Sequence, residues 1–308
     1  MDKNIEDILN DLRSDDESKR KSAVFMAGEL KIKESIKLLI NILKQDKNKV
    51  IRNNAARALG KIGDPKAIDA LAEALYDIDY FVRQSAAWAL GKIGDPQAIE
   101  PLSKLIKNGG AKIYTASGDA TNISAGELSE SLIEEGMKYH DVQIRAIQAL
   151  GELRNEKAVE PLINEFNDEE PQIRCAIALA LGNIKSKKAV PALLEKINDA
   201  YWYVRRDCAI ALGEIGDLMA MDALIEKLDD NYLDVVEKST KAIEKLGKIA
   251  IAKALLLKPK NEHIQKLAKS HFKSKQELKE HLIKIIEMEP DEEKKEEFKK
   301  KLFALFEI

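Results

Sequence analysis

The fifteen residues at 82–96, Val-Arg-Gln-Ser-Ala-Ala-Trp-Ala-Leu-Gly-Lys-Ile-Gly-Asp-Pro, recur along most of this chain. Close copies begin at Ile51, Ile173 and Val204, and weaker ones at Lys19, Val142 and Val235. The first glycine of the pattern marks the period. It falls at Gly28, Gly60, Gly91, Gly151, Gly182 and Gly213, in steps of 32, 31, 60, 31 and 31 residues. A fixed period of this length predicts a solenoid, in which each unit buries its apolar face only by stacking on its neighbours.

The unit reads as a helical hairpin. Val82, Ala86, Ala89, Leu90 and Ile93 recur at steps of three and four, the apolar stripe of a first helix, with small alanines allowing close approach. Gly94 closes that helix and Asp95-Pro96 opens the second, which carries Ile99, Leu102, Leu105 and Ile106 on one face. First helices are expected near 18–30, 49–62, 80–93, 140–153, 171–184, 202–215 and 232–246. No strand signal occurs. The expected fold class is all-α, a right-handed α-α superhelix of about seven hairpins of about 31 residues, with a helical C-terminal cap.

Five arginines recur in step: Arg20, Arg52, Arg83, Arg174 and Arg205. Six residues before four of them lies an aspartate, Asp46, Asp77, Asp168 or Asp199. The expectation is a structural pair across each hairpin, between an Asp in the turn and the Arg of the next helix. In the unit around Val142 both are replaced, by Met137 and Gln143.

The pattern V-R-x-x-A-A-x-A-L-G-x-I-G-D-P, matched best at 82–96 and then at 51–65 and 204–217, resembles the short HEAT repeats called PBS-lyase-like or E-Z type. The resemblance covers about 14–246. It is specific for fold and poorly specific for activity, because the family is mostly interaction scaffolds and includes some bilin lyases.

Five segments follow: a capping helix at 1–17, repeats at 18–108, an inserted loop plus helix at 109–139, repeats at 140–247, and a charged helical segment at 248–308. The long step contains a polar, glycine-rich run at 109–122, then a helical pattern at 124–137 with Leu128, Leu132, Ile133 and Met137 on one side. It is either a decayed repeat or, as favoured here, an insertion of about 28 residues. The Ser-Gly-Asp-Ala-Thr run at 117–121 lacks the spacing of a phosphate loop. Beyond Lys248 helices are expected at 260–271, 274–288 and 292–306. Phe298, Leu302, Phe303, Leu305 and Phe306 would bury against the last repeat or against a second copy of the chain. His263, His271 and His281 are spaced too widely for one helical metal site.

A net charge of -3 argues against general attraction to nucleic acid or anionic membranes. No secretory signal or run of 18 apolar residues is present, and two cysteines make no disulfide framework, so a soluble cytoplasmic protein is expected.

Candidate binding residues are those of each first helix that face away from its stripe. Counting from the arginine, positions minus three, plus one, plus five and plus nine form one continuous side. In the resembled family that side is the concave, partner-adapted one. Here it and its flanks carry Tyr80, Phe81, Gln84, Trp88, His140, Arg145, Cys175, Trp202, Tyr203 and Arg206. Both tryptophans of the chain fall among them, and aromatics with arginine are common anchors of binding surfaces.

These features lead to the expectation of a non-enzymatic scaffold gripping another protein or peptide, with no cofactor, metal or nucleic acid. A homodimer through the C-terminal helices is a further option. The alternative, by analogy with the bilin lyases, is a tetrapyrrole lyase or carrier. Trp88, Trp202 and Tyr203 would then pack on the pigment while Arg145 and Arg206 meet its carboxylates. Helical-repeat DNA glycosylases are disfavoured because acids and bases nearly balance on this side. Di-iron HEAT hydroxylases are disfavoured because no His-Glu dipeptide occurs.

Overall fold

The computed structural model describes residues 4–107, 113, 114, 120, 121 and 130–306. Short helices alternate along the chain: α1 (Ile5–Asp11), α2 (Glu17–Glu29), α3 (Ile36–Gln45), α4 (Lys49–Ile62), α5 (Ile68–Ala74), α6 (Tyr80–Ile93), α7 (Ile99–Lys107), α8 (Glu130–Glu152) and α9 (Val159–Asn164). They continue as α10 (Pro171–Ile184), α11 (Val190–Lys196), α12 (Trp202–Ile215), α13 (Met221–Glu226), α14 (Leu233–Leu246), α15 (Lys248–Leu257), α16 (Glu262–His271), α17 (Lys275–Met288) and α18 (Glu292–Phe306). The fold is an all-α solenoid of HEAT type. Against the absence of strand signals, Ile113–Tyr114 and Ala120–Thr121 form a two-residue antiparallel bridge. Contacts divide the chain into two compact units, Met1–Ala180 and Leu181–Ile308, with the division inside α10.

Local chemistry sets the helix ends. Asp16, Asn48 and Asp79 cap α2, α4 and α6 by accepting from the backbone N–H groups of the first turn. Gly63, Gly94 and Gly216 end α4, α6 and α12 in the left-handed region that a side chain disfavours. Asp64, Asp95 and Asp217 then accept from the N–H two residues on, opening a 3-10 turn that leads into the second helix.

Packing within each unit runs from first helix to first helix. Ile51, Ala55, Ala56 and Leu59 of α4 are buried, as are Val82, Ala86, Ala87, Ala89 and Leu90 of α6. The periodic glycines are contact points: a Cβ on Gly60 would lie 2.8 Å from Ala89 Cα, and one on Gly151 would lie 2.8 Å from Ala180 Cα. A Cβ on Gly91 would lie 2.9 Å from Ala149 Cβ, so α8 stacks directly on α6 across the long step. Among the described residues no further first helix lies between them.

Four expectations require correction. The helices expected at 124–137 and 140–153 are one helix, α8, over the described part: no proline interrupts 130–150, and Gly136 is carried within the helix without breaking it; residues 124–129, and most of the 109–123 loop, lie outside the described residues. Helix α15 went unrecognised because Ile251, Ala252, Leu255 and Leu256 are all buried, so it has no polar face to reveal a stripe. Of the C-terminal apolar side chains, only Phe298 is fully buried; Leu302, Leu305 and Phe306 are half-buried and Phe303 is exposed.

The fourth concerns the arginines. Arg52 Nε and Nη2 donate to Asp77 at 2.9 and 2.8 Å, not to the Asp46 carboxylate. Arg20 likewise meets Asp46, and Arg205 meets Asp230. The two helices of a hairpin are antiparallel, so the turn after the second helix comes beside the start of the first. The aspartate six residues back contributes its backbone instead, as Arg52 Nη1 donates to the Asp46 carbonyl at 3.0 Å. Each of these arginines therefore closes its own hairpin and ties it to the turn before. In α8 buried Gln143 takes the arginine's place and donates to the Ile106 carbonyl at the end of α7.

The Arg205 pair carries a pH signature. Hydrogen bonds from Arg205 hold the Asp230 carboxyl below its ordinary range. A depressed folded-state pKa contributes stability above the unfolded value of about 4, lost as pH falls through the folded value. Asp230→Asn is therefore expected to lower stability at pH 7 and to lose less than the native chain between pH 5 and pH 2. Urea titrations at these pH values check this; equal acid sensitivity in both proteins would remove Asp230 from the account.

Candidate functional site

In the unit Met1–Ala180, helices α2, α4, α6 and α8 lie side by side in that order. Their outward faces present successive rows of side chains. At plus five from the arginine place these are Phe25, Arg57, Trp88 and Gln148, and at plus nine Glu29, Lys61, Lys92 and Glu152.

Trp88 is half-buried. Its ring lies across α4, where a Cβ on Gly60 would come within 2.9 Å of it. The Arg57 guanidinium sits 5.5 Å from the indole centroid and the Lys92 ammonium 6.0 Å from it. Both fall within cation–π range. Lys61 likewise lies 5.8 Å from the ring of Phe25.

The start of α6 forms a second cluster. Tyr80 and Phe81 meet edge to face at 5.0 Å, and Phe81 is 59% exposed. The Tyr80 hydroxyl donates to Asp141 at 2.9 Å and accepts from Gln84 at 2.7 Å. Desolvation, with the adjacent Asp141 carboxylate, pushes the Tyr80 hydroxyl above its ordinary pKa, so it stays a donor at neutral pH. His140, next to Asp141 on α8, is half-buried, and Arg145 donates to Gln148 at 3.0 Å. Cys175 is half-buried on α10.

The unit Leu181–Ile308 holds the other three candidates. Trp202 stacks on Tyr232 at 5.5 Å and 14°, meets Tyr203 edge to face at 5.7 Å, and has Arg206 5.4 Å from its centroid. Arg206 Nε is also 2.7 Å from Asp207. Both tryptophans are half-buried, and each rests on its own chain. Tyr232, at the position just before α14, and Tyr201, before α12, were missed because cap positions were not counted as part of the face. Arg57 and Phe25 were missed as site residues because each gains its cation–π partner, Trp88 or Lys61, only from an adjacent repeat.

Most charges on these faces are neutralised within the chain. Lys61 pairs with Glu29, Lys92 with Glu152 at 3.1 Å, and Lys49 with Asp79 at 3.2 Å. In the other unit Lys245 and Lys185 pair with Glu214, and hydrogen bonds from them, Lys245 first, hold its carboxyl below the ordinary range. Among the described residues no group of three or more His, Cys, Asp and Glu side chains could hold a metal. No described helix is long and apolar enough to cross a membrane.

The HEAT-repeat profile matches 5–80 and 133–199, and the profile of the PBS lyase HEAT-like repeat matches 82–108 and 204–230. The phycocyanobilin lyase subunit alpha of Pseudanabaena tenuis is 36% identical over 86 residues, 25% of this chain and 32% of the relative. That of Microchaete diplosiphon is 33% identical over 86 residues, 25% of this chain and 29% of the relative. The chain thus matches about a third of the length of these relatives. Among solved structures, the complex of CpcE and CpcF of phycocyanin lyase from a Nostoc species is 23% identical, covering 88% of this chain and 96% of that one with a TM-score of 0.46. Importin beta is 12% identical, covering 89% of this chain and 40% of that one with a TM-score of 0.54, a likeness of fold alone.

These relatives correct the expectation of a non-enzymatic protein-gripping scaffold. The curated proteins that the chain matches are named for lyase action on a pigment, which favours the tetrapyrrole alternative.

Proposed function

Because this chain belongs to the HEAT-repeat proteins and carries PBS lyase HEAT-like repeats, we propose that it handles a linear tetrapyrrole as a lyase-like subunit. The reading is supported by 36% identity to a phycocyanobilin lyase subunit over 86 residues. The observation that carries it into this structure is Trp88, a half-buried indole with two cations beside it on an outward helix face. A planar conjugated acid needs both parts: an aromatic surface to pack on and positive charge for its carboxylates.

The ligand site is assigned to the unit Met1–Ala180, around Trp88, with Tyr80, Phe81, Gln84, His140, Arg145 and Cys175 on the same series of helices. Tyr80, kept protonated by desolvation and by Asp141 and oriented by Asp141 and Gln84, supplies a hydroxyl at one end. Trp202, Tyr203 and Arg206 are assigned a secondary part, since Tyr232, Tyr203 and Arg206 already crowd the indole and Arg206 already has Asp207. The relatives are named as subunits, and we assign this chain a partner polypeptide with which it completes the activity.

Titrating the protein with biliverdin tests the reading. Binding is expected to shift the visible absorption band and quench tryptophan fluorescence. Trp88→Ala is expected to weaken binding at least about tenfold, while Trp202→Phe leaves it within about twofold. No band shift and no quenching with the native chain would overturn the proposal.

A further inference from the structure

We propose that Arg57 is the carboxylate anchor of this site, fixing one propionate of the tetrapyrrole while the conjugated rings lie over Trp88. The inference rests on the tetrapyrrole reading and deepens it, by naming a residue that selects the acid form of the pigment.

Arg57 differs from the other cations beside it. Lys49, Lys61 and Lys92, on the same faces of α4 and α6, are each held by a carboxylate. Arg20 and Arg52 are held by Asp46 and Asp77. Arg57 is exposed, and among the described residues no carboxylate pairs with it; its neighbour is the indole, 5.5 Å from the guanidinium carbon. Among the described residues Lys21 also has no such partner, but it carries a compact ammonium on the first turns of α2 rather than a planar fork. A guanidinium resting on an aromatic surface keeps its N–H groups in its own plane, pointing out past the ring edge. That fork matches the two oxygens of a carboxylate. The aromatic contact holds the side chain in place before the ligand arrives, which lowers the entropy lost on binding.

The arrangement therefore offers adjacent surfaces of different chemistry: an indole for a π-system, and a fixed fork for an anion attached to it. An uncharged ligand would use only the first. The charge balance of the wider face follows from its internal pairs, so local attraction falls to the cations outside those pairs, of which Arg57 is the one held against the indole, Arg145 being bonded to Gln148.

Biliverdin and its dimethyl ester separate the two contributions, since the ester keeps the conjugated chain and lacks both carboxylates. Absorbance titrations at low ionic strength would compare the native chain with Arg57→Gln, Arg57→Lys and Lys21→Gln, with circular dichroism to verify folding. The native chain is expected to bind the acid about tenfold tighter than the ester. Arg57→Gln is expected to abolish that preference by weakening the acid alone, Arg57→Lys to restore part of it, and Lys21→Gln to leave it intact. If Arg57→Gln keeps the native preference, the assignment of Arg57 fails and the tetrapyrrole reading stands. If the native chain binds neither compound, both fail together.

Discussion

Replacing Gly151 by alanine is expected to destabilise the protein by about 2–3 kcal/mol, although helix propensity alone argues for a gain of about 1 kcal/mol. Gly151 lies inside α8, where alanine is the better helix former. The opposing effect is steric: the new Cβ would sit 2.8 Å from Ala180 Cα and 3.0 Å from Ala180 Cβ. Backbone cannot swing aside as a flexible side chain can, so the helices must separate and lose buried contact along their length. Gly60→Ala should behave alike and also displace the Trp88 ring. The control is Gly63→Ala, at a helix end with φ of 75° and nothing within 4 Å of the added Cβ. There the penalty is conformational only, about 1 kcal/mol. Urea unfolding of the three variants decides the matter. A stabilised Gly151→Ala protein would refute the close-approach explanation.

Breaking the Arg52–Asp77 pair is expected to have the next largest effect. The two side chains are 12% and 13% exposed and share two parallel hydrogen bonds, at 2.9 and 2.8 Å. The hydrogen bonds to Asp77 raise the Arg52 guanidinium further above its already high pKa, so Arg52 stays charged. Arg52→Ala also removes the donor to the Asp46 carbonyl, loosening two consecutive turns at once. A loss of about 2–3 kcal/mol follows from an orphaned, largely buried carboxylate. Asp77→Asn should lose less, since an amide oxygen still accepts from the guanidinium. The double variant Arg52→Asp/Asp77→Arg is expected to recover part of the loss of either reversal alone. Thermal melts of the four proteins test this; strict additivity of the two reversals would remove the pairing from the explanation.

The two units give such measurements a particular form. Stability in stacked repeats is approximately a sum of unit and interface contributions, so a lesion in α4 and one in α14 need not report on the same transition. A probe in each unit is required: Trp88 serves for Met1–Ala180, and Trp202 for Leu181–Ile308.

Much of the architecture was legible because the repeated signals are local. A stripe at steps of three and four, an Asp before a first turn and a glycine after a last one act within a few residues. The period then multiplies each weak signal by its copies. Helix α15 escaped because uniform burial leaves no stripe, and α8 because a 23-residue helix ignored the hairpin rhythm of its neighbours. For the site, the sequence pointed to Trp88 and Tyr80 as outward-facing aromatics. It did not single out Arg57 from the other basic residues on the same faces.

What the sequence determined by itself was the hairpin unit, its caps and the HEAT family to which it belongs, because these depend on contacts between residues close along the chain. The tertiary structure decided which aspartate each arginine meets, why the periodic glycines must stay small, and which cation is left beside the indole without a carboxylate. Those outcomes depend on groups about 25 or more residues apart, brought together by antiparallel helices and by stacking, and no spacing within one repeat encodes them.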